Sequence, residues 1–278
     1  TGLASHFVWN DWYSILDRFE MPSTEVATRK HRVSVTSLKR AHAQLNKPHL
    51  KLAAKVWTQP MTGIAVTGVL IALFLMFVAD EAILRAVKAS NSPIIQFMSD
   101  ITNIGKSDRY LIPSAILFLF TGFLDWSAYR QKAKSWLLRL FGQSAYLFGS
   151  VAGSGILVNI LKVPIGRARP KLFDSAGAIH FEPFSIGYDF ASFPSGHSTT
   201  MGAVTMVAMI WFPTWRWLIL PIGFFLAATR IAAQAHYPSD VVAGFTLGLL
   251  FALCFARWLG GRSVVFRLQT GRMFPKKR

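Results

Sequence analysis

Residues 240–259 read DVVAGFTLGLLFALCFARWL. A carboxylate opens this run, an arginine sits in its last turn, and the stretch between is apolar or small. About 20 mostly apolar residues are what a helix needs to cross a bilayer. Within the hydrocarbon only a helix pairs every backbone polar group of such a run. Five more runs lie upstream, near 61–79, 109–124, 142–161, 197–213 and 217–233, with the second and fourth of the six short. The chain is therefore expected to be all-α, a polytopic membrane protein with about six transmembrane helices. The 142–161 run carries Gly149, Gly153 and Gly155. Small residues at this spacing let neighbouring helices approach closely, so packing is their expected role.

The 278 residues are 52% hydrophobic, with 23 Phe and 9 Trp, and carry a formal net charge of +17. In a soluble protein that charge would suggest nucleic acid. Here the cations sit beside apolar runs, which points to lipid headgroups and topology, and no nucleic acid partner is expected. Residues 1–60 hold Arg18, Arg29, Lys30, Lys39 and Lys55 among others. The loop after the second run holds Arg130, Lys132, Lys134 and Arg139, Arg216 lies between the fourth and fifth, and the tail runs from Arg257 to Arg278. Six crossings place all four segments on one side, and the positive-inside rule makes that side cytoplasmic. The expected organisation is a basic N-terminal segment (1–60), a membrane domain (61–260) and a basic tail (261–278). Residues 7–19 have helical apolar spacing suited to the membrane surface or to the ends of the spans. The first segment is too polar for a signal peptide. Residues 80–108 are read as an outward loop, and 162–196, rich in Gly and Pro, as a loop without long regular elements. Cys254 is the only cysteine, so no internal disulfide forms, and it is expected to pack inside the sixth run.

Three clusters then fall together on the face opposite the bulk of the basic residues. In Pro194-Ser195-Gly196-His197, Ser195 can cap the following helix. Gly196 lets backbone N–H groups approach an anion, and His197 stands at the rim of that site. In the second cluster Arg230 closes one run, His236 lies in the turn, and Asp240 opens the next run. A carboxylate holding one imidazole nitrogen frees the other to attack. Asp240 can also favour its own helix start through the dipole. In the third, Lys162 supplies a point charge and Arg169 a planar fork for two phosphate oxygens. For Arg167 and Lys171 the reading is snorkelling toward headgroups. Asp189 and Glu182 read as solvated loop charges. No ligand-like carboxylate spacing is present, so no metal and no other cofactor is expected.

Lys162 with Arg169-Pro170, Pro194-Ser195-Gly196-His197, and Arg230 with His236 and Asp240 resemble the three-part signature of the type 2 phosphatidic acid phosphatase superfamily. Thr229 departs from it, standing where the family usually has Ser. The resemblance implies metal-independent phosphoryl transfer. His236 would attack phosphorus, Asp240 would orient it, and His197 would protonate the leaving oxygen and then activate water. Lys162, Arg169 and Arg230 would hold the phosphoryl oxygens, assisted by Ser195 and the Gly196 N–H. The implied partner is a phosphorylated membrane lipid: phosphatidic acid, phosphatidylglycerophosphate, an isoprenyl phosphate or diphosphate, or a lipid A phosphate. The expected setting is a bacterial inner membrane, with both termini cytoplasmic and the active site periplasmic. A phosphotransferase passing the same intermediate to an alcohol is the alternative. A non-catalytic lipid-binding protein would leave the pairing of His236 with Asp240 without a purpose.

Overall fold

The computed structural model describes residues 56–126, 129–185, 187–262, 265–269 and 271–277, so the 7–19 segment lies outside the described residues. Helix α1 (Gln59–Ala89) runs through one π turn at Leu75–Ala79. It is followed by α2 (Pro93–Ile101), a 3₁₀ turn (Thr102–Gly105), α3 (Asp108–Phe123) and α4 (Gln131–Ile165). A loop holding the short α5 (Phe173–Ala176) leads to α6 (Gly196–Trp211), α7 (Arg216–Ala232) and α8 (Pro238–Gly261). Strands β1 (Phe266–Arg267) and β2 (Lys276–Lys277) pair antiparallel in the tail.

Among the described residues, four helices are long and apolar enough to cross a membrane: Gln59–Ala89, Gln131–Ile165, Pro213–Ala232 and Pro238–Gly261. The other two expected runs form α3 and α6, each of 16 residues. At 1.5 Å per residue such a helix is ~24 Å long, short of the ~30 Å hydrocarbon core. Six spans is thus an approximate description. Apolar side chains such as Leu70, Phe74, Phe77, Ile116, Ile160 and Trp217 face outward, as lipid contact requires.

The expected loop at 80–108 is overturned. The apolar run ends at Ala79, but the helix does not. Asp80, Glu81, Arg85 and Lys88 continue α1 as an amphipathic segment with an acidic start and a basic end, which suits the helix dipole. Ser92 caps α2 by accepting from the Ile94 N–H (3.3 Å). The 162–196 segment does lack long elements. Its first residues, 162–165, instead extend α4, which Gly166 ends with a φ of +60° in the left-handed region.

At the centre α6 lies along α8, and both start at the same end. A Cβ at Gly202 would collide with the Phe245 carbonyl, and one at Gly248 with the Thr199 carbonyl. These two glycines bring the backbones together, and Met201, Met206, Ile210, Val241 and Leu253 fill the core around them. On α4, Gly149 and Gly153 receive the rings of Phe255 and Phe251, as the spacing suggested, whereas Gly155 faces open space.

Candidate active site

The parallel start of α6 and α8 brings the Pro194-Ser195-Gly196-His197 cluster and the Arg230, His236 and Asp240 cluster to one end of the molecule. Ser195 caps α6, its Oγ accepting from the Ser198 N–H (3.3 Å). The Ser195 N–H donates to the Asp240 carbonyl (3.0 Å), tying the two helix starts together. Pro238 occupies the first turn of α8, and Asp240 Oδ2 accepts from the Tyr237 N–H (2.9 Å). Asp240 therefore caps its helix, while its Oδ2 lies 3.5 Å from His236 Nδ1.

That 3.5 Å separation is longer than a formed hydrogen bond. Asp240 Oδ2 is already occupied by Ser192 Oγ (2.6 Å) and Tyr237 N–H, and Oδ1 by Arg167 Nη1 (2.6 Å). His236 Nδ1 is buried without a hydrogen-bond partner among the described residues, as is His197 Nε2. Burial holds the His236 imidazole below its ordinary pKa. The Asp240 carboxylate opposes that effect, while Arg169 and Lys162 reinforce it.

Cations surround the two imidazoles. Lys162, in the last turn of α4, lies within electrostatic reach of Arg169, Arg230 and Asp240. Its Nζ would stand 3.6 Å from a Cβ at Gly196. Arg169 donates from Nε to the Tyr188 carbonyl (2.9 Å), and from Nη1 and Nη2 to those of Ala235 and Ala191 (3.3 Å each). Its guanidinium lies 3.9 Å from the Tyr188 ring centroid. These bonds use three of five N–H groups and leave one on each Nη to meet an anion. Burial lowers the Arg169 pKa, yet an arginine stays charged under any working condition. Arg230, in the last turn of α7, donates to Thr102 Oγ1 (3.2 Å). Thr229 Oγ1 donates to the Leu226 carbonyl (2.7 Å) and lies 3.1 Å from Thr102 Oγ1. The threonine in place of serine thus keeps a working hydroxyl. His197 lies within electrostatic reach of Arg230, His236, Lys162 and Lys106. All eight residues picked from the sequence (Lys162, Arg169, Ser195, Gly196, His197, Arg230, His236 and Asp240) share this end.

The snorkelling reading of Arg167 is overturned. Arg167 is fully buried and bridges two buried carboxylates, Asp240 (2.6 Å) and Asp80 (2.8 Å). Burial disfavours its cation, but the carboxylates outweigh that and raise its pKa. Sequence reading missed Asp80 altogether, because its partners lie 87 and 159 residues away. Its one signal was a carboxylate closing an apolar run. Lys171 does point outward, pairing with the partly exposed Asp189 (2.7 Å). Thr102 and Lys106 were also missed, since they lie in the segment read as a loop.

A family model described as PAP2 superfamily matches residues 143–263. A lipid A 1-phosphatase of Rhizobium johnstonii is 38% identical over 198 residues, covering 71% of this chain and 80% of that protein. This chain belongs to the PAP2 superfamily. A lipid A 1-phosphatase of Rhizobium etli is 41% identical over 63% of this chain and 78% of that protein. A phosphatidylglycerophosphatase B of Bacillus subtilis is 30% identical over 62% of this chain and 79% of its own length. Membership and these relatives support an integral membrane phosphatase acting on lipid phosphate.

Proposed function

We propose that this protein hydrolyses a phosphate ester on a membrane lipid through a phosphohistidine on His236, with the 1-phosphate of lipid A as its substrate. The observation that carries this is the gathering of Lys162, Arg169, Arg230, His197 and His236 around one helix start. Three fixed cations suit an anion with developing charge on its oxygens, and the α6 N-terminus adds backbone N–H groups and a partial positive charge. With Nδ1 turned to Asp240, Nε2 carries the lone pair that attacks phosphorus. The P–N bond forms as the P–O bond to the lipid breaks, and His197 gives its proton to the departing oxygen. Water then attacks phosphorus, the P–N bond breaks, and His197 takes the water proton. The charge clamp is made of protein cations, so no metal is assigned a role.

The choice of lipid A rests on the two relatives at 38% and 41% identity that bear that activity. The site lies at the helix ends opposite Arg216, Arg257 and the basic tail. By the positive-inside rule it faces the periplasm, with both termini cytoplasmic in a bacterial inner membrane.

The test is phosphate release from lipid A, phosphatidic acid, phosphatidylglycerophosphate and an isoprenyl diphosphate at fixed detergent, with and without a strong chelator. Lipid A is expected to give the highest kcat/KM, unaffected by chelator. His236→Ala and His197→Ala are each expected to lower the rate by at least about 10³-fold while still inserting and purifying. Full activity in either variant removes the mechanism, and chelator sensitivity reveals a metal.

A further inference from the structure

We infer that Asp80 is a positioning residue for this reaction, acting through Arg167 and Asp240 on His236. The inference rests on the phosphohistidine reading above. Asp80, Arg167 and Asp240 are each fully buried. An ionisable side chain in a membrane helix is costly and marks function by default. Asp80 sits in α1, outside both the matched family region (143–263) and the three motif clusters.

Its contacts make a connected unit. Arg167 Nη2 donates to Asp80 Oδ2 (2.8 Å) and to the Ala178 carbonyl (2.8 Å). Arg167 Nη1 donates to Asp240 Oδ1 (2.6 Å) and to Ser239 Oγ (2.6 Å). Asp80 Oδ1 accepts from the Ser239 N–H (2.9 Å), and Ser239 Oγ donates to Asp80 Oδ2. Beneath them the Tyr237 ring centroid lies 4.3 Å from the Arg167 guanidinium carbon. Asp80 thus grips both the arginine that aims Asp240 and the residue preceding Asp240 in the first turn of α8.

The charges give this geometry a purpose beyond packing. Two carboxylates share one guanidinium, so the unit carries one surplus negative charge beside His236. When His236 attacks phosphorus its ring becomes cationic, and the surplus charge stabilises it. Asparagine at position 80 keeps the shape but removes that surplus. Arg167 then draws on Asp240 alone, and the His236 ring becomes less basic. A pair built only for folding would affect stability and leave the chemistry of folded molecules alone.

The experiment compares Asp80→Asn, Arg167→Lys and His236→Ala with wild type in detergent, measuring kcat, KM, phosphoenzyme formation, melting temperature and the pH profile. Outer-layer partners that orient metal-ligating histidines typically contribute roughly 10- to 100-fold, and the same scale is taken for a carboxylate that orients a nucleophilic histidine through its partner. Asp80→Asn is therefore expected to lose about that factor in kcat with KM within about twofold. Phosphoenzyme formation should slow equally, and the acid limb should move to lower pH. Wild-type kcat per folded molecule in Asp80→Asn, with His236→Ala inactive, overturns the inference alone. Activity in His236→Ala overturns the underlying mechanism instead. Should Asp80→Asn fail to fold, Arg167→Lys decides, because it keeps the charge but cannot bridge both carboxylates: a kcat loss sustains the role, and an unchanged kcat removes it.

Discussion

His236 is an imidazole held away from water, facing a carboxylate whose oxygens already accept from Ser192, Tyr237 and Arg167. The balance of burial against one nearby anion favours the neutral ring, the form with a lone pair to donate. Because the folded pKa lies below the ordinary 6.5, the neutral form persists below pH 6.5 and is lost only as pH falls further. The acid limb of kcat/KM is accordingly expected below 6.5, once the substrate phosphate's own ionisation near pH ~6 is divided out. A limb at 6.5 or above would mean that the ring is not the buried nucleophile described. The residues legible in the sequence were those whose spacing within a short stretch is itself distinctive, such as His236 and Asp240 four apart. Arg167 was misread because a lone arginine near a helix end looks alike whether it faces headgroups or buried carboxylates. Only the tertiary partner separates the two.

At the scale of elements, the pairing of α6 with α8 sets the distance between the His197 and His236 ends. Gly202 and Gly248 make that pairing possible, and neither stood out in the sequence, where attention fell on the glycines of α4. A glycine reveals its purpose only through what lies opposite, here the Phe245 and Thr199 carbonyls. Gly248→Val has no flexible neighbour to displace, so overpacking is expected to cost about 1–3 kcal/mol or more. Thermal denaturation in detergent measures the loss. Gly155→Ala, which meets no neighbour within 4 Å, is the matched control and should change little. The long helices were readable because spanning runs are long and strongly apolar. The continuation of α1 past Ala79 was not, because an amphipathic extension of a helix and a polar loop share much the same composition. That error also hid Asp80, Thr102 and Lys106.

The whole molecule is polarised end to end. One end holds the converging cations and imidazoles, and the other holds Arg216, Arg257 and the paired tail strands, where Arg257 Nη1 donates to the carbonyls of Arg272 (2.9 Å) and Met273 (2.8 Å). If that second end is cytoplasmic, a thiol at exposed Ile179 should react with an impermeant reagent in intact, outer-membrane-permeabilised cells, and one at exposed Lys276 should not. Cys254→Ala supplies the cysteine-free background, and the reverse pattern would invert the proposed orientation. Helix α6 adds a further consequence. Most of its residues are buried against α8, α7 and α4. A helix sheathed by protein has its ends fixed by its neighbours, so the depth at which its capped start meets a lipid phosphate is set by those helices and not by the thickness of the bilayer.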